Sequence, residues 1–251
     1  MSLMDFVLNV VLGAVLGSLG GLFGIGGGLI AIPALGVLFG LDQQLAQGTA
    51  LVMVVPNVML ALWRYHQRNR INPRHALILA ASGFVFALLG ARWAVSLDAE
   101  QMRIAFIVFL VLLAFYTVLR LFSPAVHSSG ELRYPWPWLG MLGAGAGLTG
   151  GLLAVGGAVV ATPVLTMVFG VTQVAAQGLS LALALPSTVV TLVTYALHDH
   201  VNWLLAIPLA IGGLLSISWG VRLAHALPER VLKALFAVFL LVCAVLLGLK
   251  V

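Results

Sequence analysis

Two stretches of this chain decide what it can fold into. Met102–Leu119 and Val231–Leu249 are apolar almost throughout, with one basic residue in each. A run of about 18 or more apolar residues is long enough to cross a bilayer as a helix. Backbone groups in lipid have no water to bond, so a spanning chain must be helical or a closed barrel. Barrel strands alternate apolar and polar residues over about 10 positions, and these runs do not alternate. The expected class is therefore all-α, a polytopic helical membrane protein.

Composition supports this and excludes a soluble fold. Mean hydropathy is +1.16, 62% of the residues are hydrophobic and 8% are charged. A soluble domain carries about 25% charged residues, so this chain lacks the polar side chains to cover a wet surface. The net charge of +5 does not indicate nucleic acid. Its basic residues sit at the ends of apolar runs, where they anchor helices, and form no face interleaved with aromatics. The single cysteine, Cys243, can form neither an internal disulfide nor a thiolate cluster. The apolar N-terminal segment has no basic leader and carries Asp5, which points to a retained helix.

The strongest organising feature is duplication. A shift of 130 positions aligns the two halves without a gap. Gly20-Gly21-Leu22 falls on Gly150-Gly151-Leu152, Gly26-Gly27 on Gly156-Gly157, and Pro33 on Pro163. Ala46-Gln47-Gly48 falls on Ala176-Gln177-Gly178, and Pro56, Tyr65, Asn72, Gly90 and Arg92 on Pro186, Tyr195, Asn202, Gly220 and Arg222. Apolar composition alone would not place Gly, Pro, Gln, Tyr and Arg in register. The expected organisation is a first repeat at 1–122, a linker at 123–138 and a second repeat at 139–251. The apolar segments of the first are 4–23, 27–40, 45–65, 75–95 and 101–121. Those of the second are 137–153, 157–170, 174–197, 203–222 and 229–249. In each repeat a glycine-broken helical hairpin precedes three spanning helices. Whether the short arm is re-entrant or crosses is left open.

Arginine and lysine set orientation. The loop with Arg64, Arg68, Arg70 and Arg74 is expected inside, and its mate, His198-Asp199-His200, outside. The loop with Arg222, Arg230 and Lys233 is expected inside, opposite in preference to its balanced mate around Arg92 and Arg103. Equivalent loops then face opposite sides, as in two inverted repeats, a common plan in secondary transporters. A parallel arrangement is the rival.

Three features could carry chemistry. Glycine costs about 1 kcal/mol in a helix interior, so the clusters Gly26, Gly27, Gly28 and Gly156, Gly157 mark helices that end and restart. A restarting helix presents free N–H groups and a positive dipole end, and a small anion can sit there. Gly13, Gly17, Gly143 and Gly147 fit plain helix packing instead. Next comes a polar face: Gln47, Thr49 and Asn57 in the first copy and Gln177, Ser180 and Ser187 in the second, which either cap the neighbouring hairpin or bond a solute. Finally, all seven acidic residues lie near the ends of apolar runs. With no carboxylate pair at depth, an acid–base enzyme is not expected. No phosphate loop and no His-Glu-x-x-His spacing occur, so no cofactor or metal is expected.

The strings GSLGGLFGIGGGLIAIPAL at Gly17–Leu35 and AQGTAL at Ala46–Leu51 resemble the signature of the TauE/SafE sulfite exporter family. The second copy, GLTGGLLAVGGAVVATPVL at Gly147–Leu165 with AQGLSL at Ala176–Leu181, is similar again. It departs at Ala154 and Ala158, where the first copy has glycine. The resemblance implies a multi-pass transporter of the bacterial or archaeal cytoplasmic membrane, handling sulfite, sulfonates or related solutes. The expected function is a secondary transporter of a small anionic sulfur-containing solute, with alternating access of two repeats. The solute is expected between the hairpin tips, held by Gly26–Gly28 and Gly156–Gly157 with the polar face around it. Rivals are a passive anion channel or a carrier of a non-sulfur organic anion. Expected partners are the solute and the lipid bilayer, with no nucleic acid; a homo-oligomer is left open.

Overall fold

The computed structural model describes residues 3–23, 26–68, 72–122, 134–226 and 229–249. Most of the proposed linker lies outside the described residues. The described elements are all helices: α1 (Leu3–Phe23), α2 (Gly28–Phe39), α3 (Gln43–Arg68), α4 (Pro73–Ser96), α5 (Ala99–Phe122), α6 (Pro137–Leu153), α7 (Ala158–Met167), α8 (Gln173–Leu197), α9 (Trp203–Ala226) and α10 (Glu229–Gly248). Each apolar segment of the sequence is one helix. Among the described residues, α1, α3, α4, α5, α8 and α9 are long and apolar enough to cross a membrane. α2 and α7 have 12 and 10 residues. At about 1.5 Å per residue neither spans the ~30 Å hydrocarbon core by itself.

The chain forms two compact units, and each draws on both sequence repeats. The first comprises Met1–Met53, Leu97–Ala125 and His200–Val251; the second comprises Val54–Ser96 and Val126–Asp199. α3 passes from one to the other.

In the first unit α1 lies along α9. Gly13 abuts the backbone of Leu209, Gly17 that of Gly213, and Gly220 that of Ser18 and Leu22. α5 pairs with α10. Met102, Phe106, Leu110 and Ala114 recur every fourth residue and are fully buried, with Leu240 buried on α10. Phe23, at the end of α1, packs its ring 5.0 Å from Phe236 and 6.1 Å from Phe239.

In the second unit α6 lies along α4. Gly143 abuts Leu79, Gly147 abuts Gly83, Gly151 abuts Ala87, and Gly90 abuts Leu148. α8 packs on α4, α6 and α7, around a core that includes Leu79, Leu139, Ala146, Leu165 and Leu183.

The shift that aligns the sequence halves carries one glycine seam onto the other. Gly13 with Leu209 becomes Gly143 with Leu79, and Gly17 with Gly213 becomes Gly147 with Gly83. Each repeat thus lays its first helix on the fourth helix of the other. Lipid tails are as apolar as Leu, so helices in a bilayer associate through close backbone approach, which glycine permits.

Candidate solute-binding site

The glycine breaks are built alike in both copies. Gly26 and Gly27 have φ of 69° and 94°, and Gly156 and Gly157 have 75° and 74°. A side chain is strained at such angles, which explains glycine there. Space adds a second reason at Gly157, where a Cβ would lie 2.9 Å from both the Ala146 carbonyl carbon and the Leu183 side chain. Gly27 and Gly157 are the N-caps of α2 and α7, and neither helix start carries a side-chain cap. The first α-helical bonds run from Ala31 N to Gly27 O and from Ala161 N to Gly157 O, both 2.9 Å. The N–H groups of Gly28, Leu29, Ala158 and Val159 lie ahead of that ladder. All four residues are buried. The intervening Gly24 and Ile25 lie outside the described residues.

The two alanines that replace glycines have different consequences. Ala158 opens α7 as an ordinary helical residue, so nothing about its backbone requires glycine. Ala154 ends α6 with φ 58°, in the left-handed region that disfavours a Cβ.

Five of the polar candidates are occluded: Gln47, Thr49, Asn57 and Ser187 are 0% exposed and Ser180 is 1% exposed, whereas Gln177 is half-buried. Their hydrogen bonds divide them. In the first unit the Thr49 hydroxyl accepts the Asn202 N–H at 3.1 Å, which ties α3 to the start of α9. In the second unit Ser187 donates its proton to the Leu183 carbonyl at 2.8 Å. Thr188, Thr191 and Thr194 do the same with the carbonyls of Ala184, Ser187 and Val190. Gln177 accepts the Tyr65 hydroxyl proton through Oε1 at 2.7 Å. Ser180 Oγ is buried with no hydrogen-bond partner among the described residues. In the second unit Gln177, Ser180 and Ser187 lie along one helix, α8, whose middle adjoins the glycine break before α7: a Cβ at Gly156 would lie 2.6 Å from the Thr188 side chain, and one at Gly157 2.9 Å from that of Leu183. Gly26–Gly28, Gln47 and Thr49 belong to the first unit, and Asn57 belongs to the second.

Residue-type reasoning overlooked Tyr65 and the threonines of α8. The available signal was the in-register match of Tyr65 with Tyr195, since a phenol in a membrane needs a partner for its hydroxyl. Tyr195 is fully buried and donates to the Leu152 carbonyl at 3.3 Å. The threonines gave no signal, because Thr188 and Thr191 have apolar repeat-mates in Val58 and Ala61.

Two cavities lie elsewhere. One of ≈ 540 Å³ in the second unit is lined by Trp63, His66, Pro73, Leu77, Ala182 and Leu185, among others. One of ≈ 280 Å³ in the first unit is lined by Asn9, Phe39, Leu41 and Asn202, among others. Neither includes a candidate residue. Both are wide-mouthed and largely apolar, so the occluded polar residues and the buried helix starts are the better chemical candidates. Arg92 and Arg222 are exposed, and the Arg222 guanidinium lies 5.9 Å from the Trp219 ring centre on the same helix.

A family model, described as sulfite exporter TauE/SafE, matches residues 9–247, nearly the whole chain. The chain belongs to the TauE/SafE family. It is similar to the "Probable membrane transporter protein YunE" of Bacillus subtilis, 23% identical over 98% of this chain and 96% of that protein. A "Probable membrane transporter protein" of Xylella fastidiosa (strain 9a5c) is 26% identical over 98% and 95%. A relative from Methanocaldococcus jannaschii, with the name "Probable membrane transporter protein MJ0441", is 27% identical over 64% and 61%. TauE/SafE proteins are membrane transporters rather than enzymes, and this member is a multi-pass membrane protein.

Proposed function

We propose that this TauE/SafE chain is a secondary transporter that carries a small oxygen-bearing anion of the sulfite or sulfonate class across the cytoplasmic membrane. One observation carries the reading: two uncapped helix starts, at Gly28 and Ala158, are buried in the interior of the protein. Aligned N–H groups and a positive dipole end favour an anion at such a place. Gln47, Thr49, Asn57, Gln177, Ser180 and Ser187 complete the candidate residues. The occlusion of all of these but the half-buried Gln177 supports a carrier over a passive channel, which needs a standing water-lined path. The basic loop around Arg64 and Arg74, with its uncharged-to-acidic mate at His198–His200, supports inverted repeats that alternate access.

The test is a thermal-shift and binding screen of the purified protein with sulfite, thiosulfate and sulfoacetate, using carboxylates as controls. A ligand at about 100 times its Kd stabilises the folded state by about 2.7 kcal/mol. Combining Gln47→Ala with Gln177→Ala is expected to abolish the response while the protein still folds. If none of the sulfur oxyanions binds, or if the double variant binds as well as wild type, the reading fails. Uptake against a gradient in proteoliposomes separates carrier from channel.

A further inference from the structure

In the bond between Tyr65 and Gln177 a half-buried amide turns its oxygen to the phenol. Gln177 has one acceptor end and one donor end. The Tyr65 hydroxyl holds the acceptor end, Oε1, at 2.7 Å. That leaves Nε2, with its two protons, as the free end. One turn further along the same face of α8, Ser180 is 1% exposed and its Oγ has no hydrogen-bond partner among the described residues. The other hydroxyls of α8 differ. Those of Ser187, Thr188, Thr191 and Thr194 each commit their proton to a backbone carbonyl of their own helix at 2.7–2.8 Å. A carbonyl can only accept, so those hydroxyls present lone pairs alone. The uncommitted protons on this polar stripe are concentrated at Gln177 Nε2 and Ser180 Oγ.

We infer that Tyr65 is a positioning residue that makes this part of the protein selective for an oxyanion. It orients the Gln177 amide with its NH2 end free, so that Gln177 and Ser180 together offer donors to oxygen atoms of the solute. A cation would meet protons here, and an apolar solute would leave both groups unsatisfied. The inference rests on the transport reading above and adds to it the residue that sets the sign of the site. Without the phenol, the amide can rotate and turn its oxygen toward the anion.

The experiment measures sulfite binding by calorimetry to the full-length protein in detergent, for wild type, Tyr65→Phe, Gln177→Ala, the double variant and Gln177→Glu. Thermal unfolding without ligand checks each fold. Tyr65→Phe is expected to weaken sulfite binding about tenfold, the equivalent of one well-made hydrogen bond in a buried site. In the Gln177→Ala background the same change is expected to add nothing to the loss of sulfite affinity, because the amide that Tyr65 positions is gone. Gln177→Glu keeps an acceptor for Tyr65 but turns a carboxylate oxygen toward the solute, and is expected to weaken binding at least 100-fold. Wild-type affinity in Tyr65→Phe overturns the inference and leaves the transport reading intact. So does an equal loss in both backgrounds, which would mark Tyr65 as merely structural. Absence of any oxyanion binding to wild type overturns both together.

Discussion

Gly147 of α6 and Gly83 of α4 meet backbone to backbone: a Cβ at 147 would lie 2.7 Å from the Gly83 Cα. Gly17 and Gly213 repeat the contact in the other unit. Since the neighbouring atoms are backbone, nothing can swing aside. Gly17→Leu and Gly147→Leu should each destabilise the protein by about 3 kcal/mol or more, or prevent folding. Gly145, on the same helix as Gly147, has nothing within 4 Å of its Cβ position. Gly145→Ala should be neutral or stabilise by up to about 1 kcal/mol. Denaturant unfolding in detergent measures both, and a Gly147→Leu protein as stable as wild type would contradict the seam.

Ala154 holds a left-handed conformation with φ 58°, in the place where the first copy has Gly24. Ala154→Gly should relieve that strain and raise stability by about 1 kcal/mol, since the left-handed region costs a non-glycine residue about 1–2 kcal/mol. A fall in the unfolding temperature would show that this turn is not strained.

Thr49 has a structural partner, which separates its two expected roles. Thr49→Val keeps the shape but leaves the Asn202 N–H without its acceptor, and should cost about 1–3 kcal/mol. Thr49→Ser should retain most of the stability. If Thr49→Val folds with wild-type stability yet loses sulfite binding, Thr49 serves the solute rather than the α3–α9 junction.

Inversion of the repeats can be read with two cysteines. Gln67 and Leu197 are repeat-mates at the ends of α3 and α8, and both are exposed. In a Cys243→Ala background, Gln67→Cys should react with a membrane-impermeant maleimide only from the cytoplasmic side. Leu197→Cys should react only from the opposite side. Labelling of both from one side would establish parallel repeats.

Much of the site's backbone was legible before any coordinates. Gly26, Gly27, Gly156 and Gly157 announced themselves because glycine is costly in a helix and recurred in register. Their left-handed geometry is the reason for that recurrence. Side-chain partnerships were not legible. Ser180 and Ser187 look interchangeable as letters, yet Ser187 bonds its own helix and Ser180 Oγ bonds nothing described. That difference depends on rotamers and neighbours that no spacing encodes. The pairing of Tyr65 with Gln177 joins residues 112 positions apart, and only packing brings them together.

The sequence by itself determined that the chain is helical, membrane-embedded and duplicated, because bilayer thickness and backbone hydrogen bonding act locally on each apolar run. It also located the helix breaks. Only the tertiary structure decided which helices partner. α1 packs on α9 and α6 on α4, so the compact units cut across the repeats that the alignment defines. Glycine tells a helix that it can approach another closely, but not which one. In lipid, where every exterior face is equally apolar, that choice rests on the fit of one backbone against another.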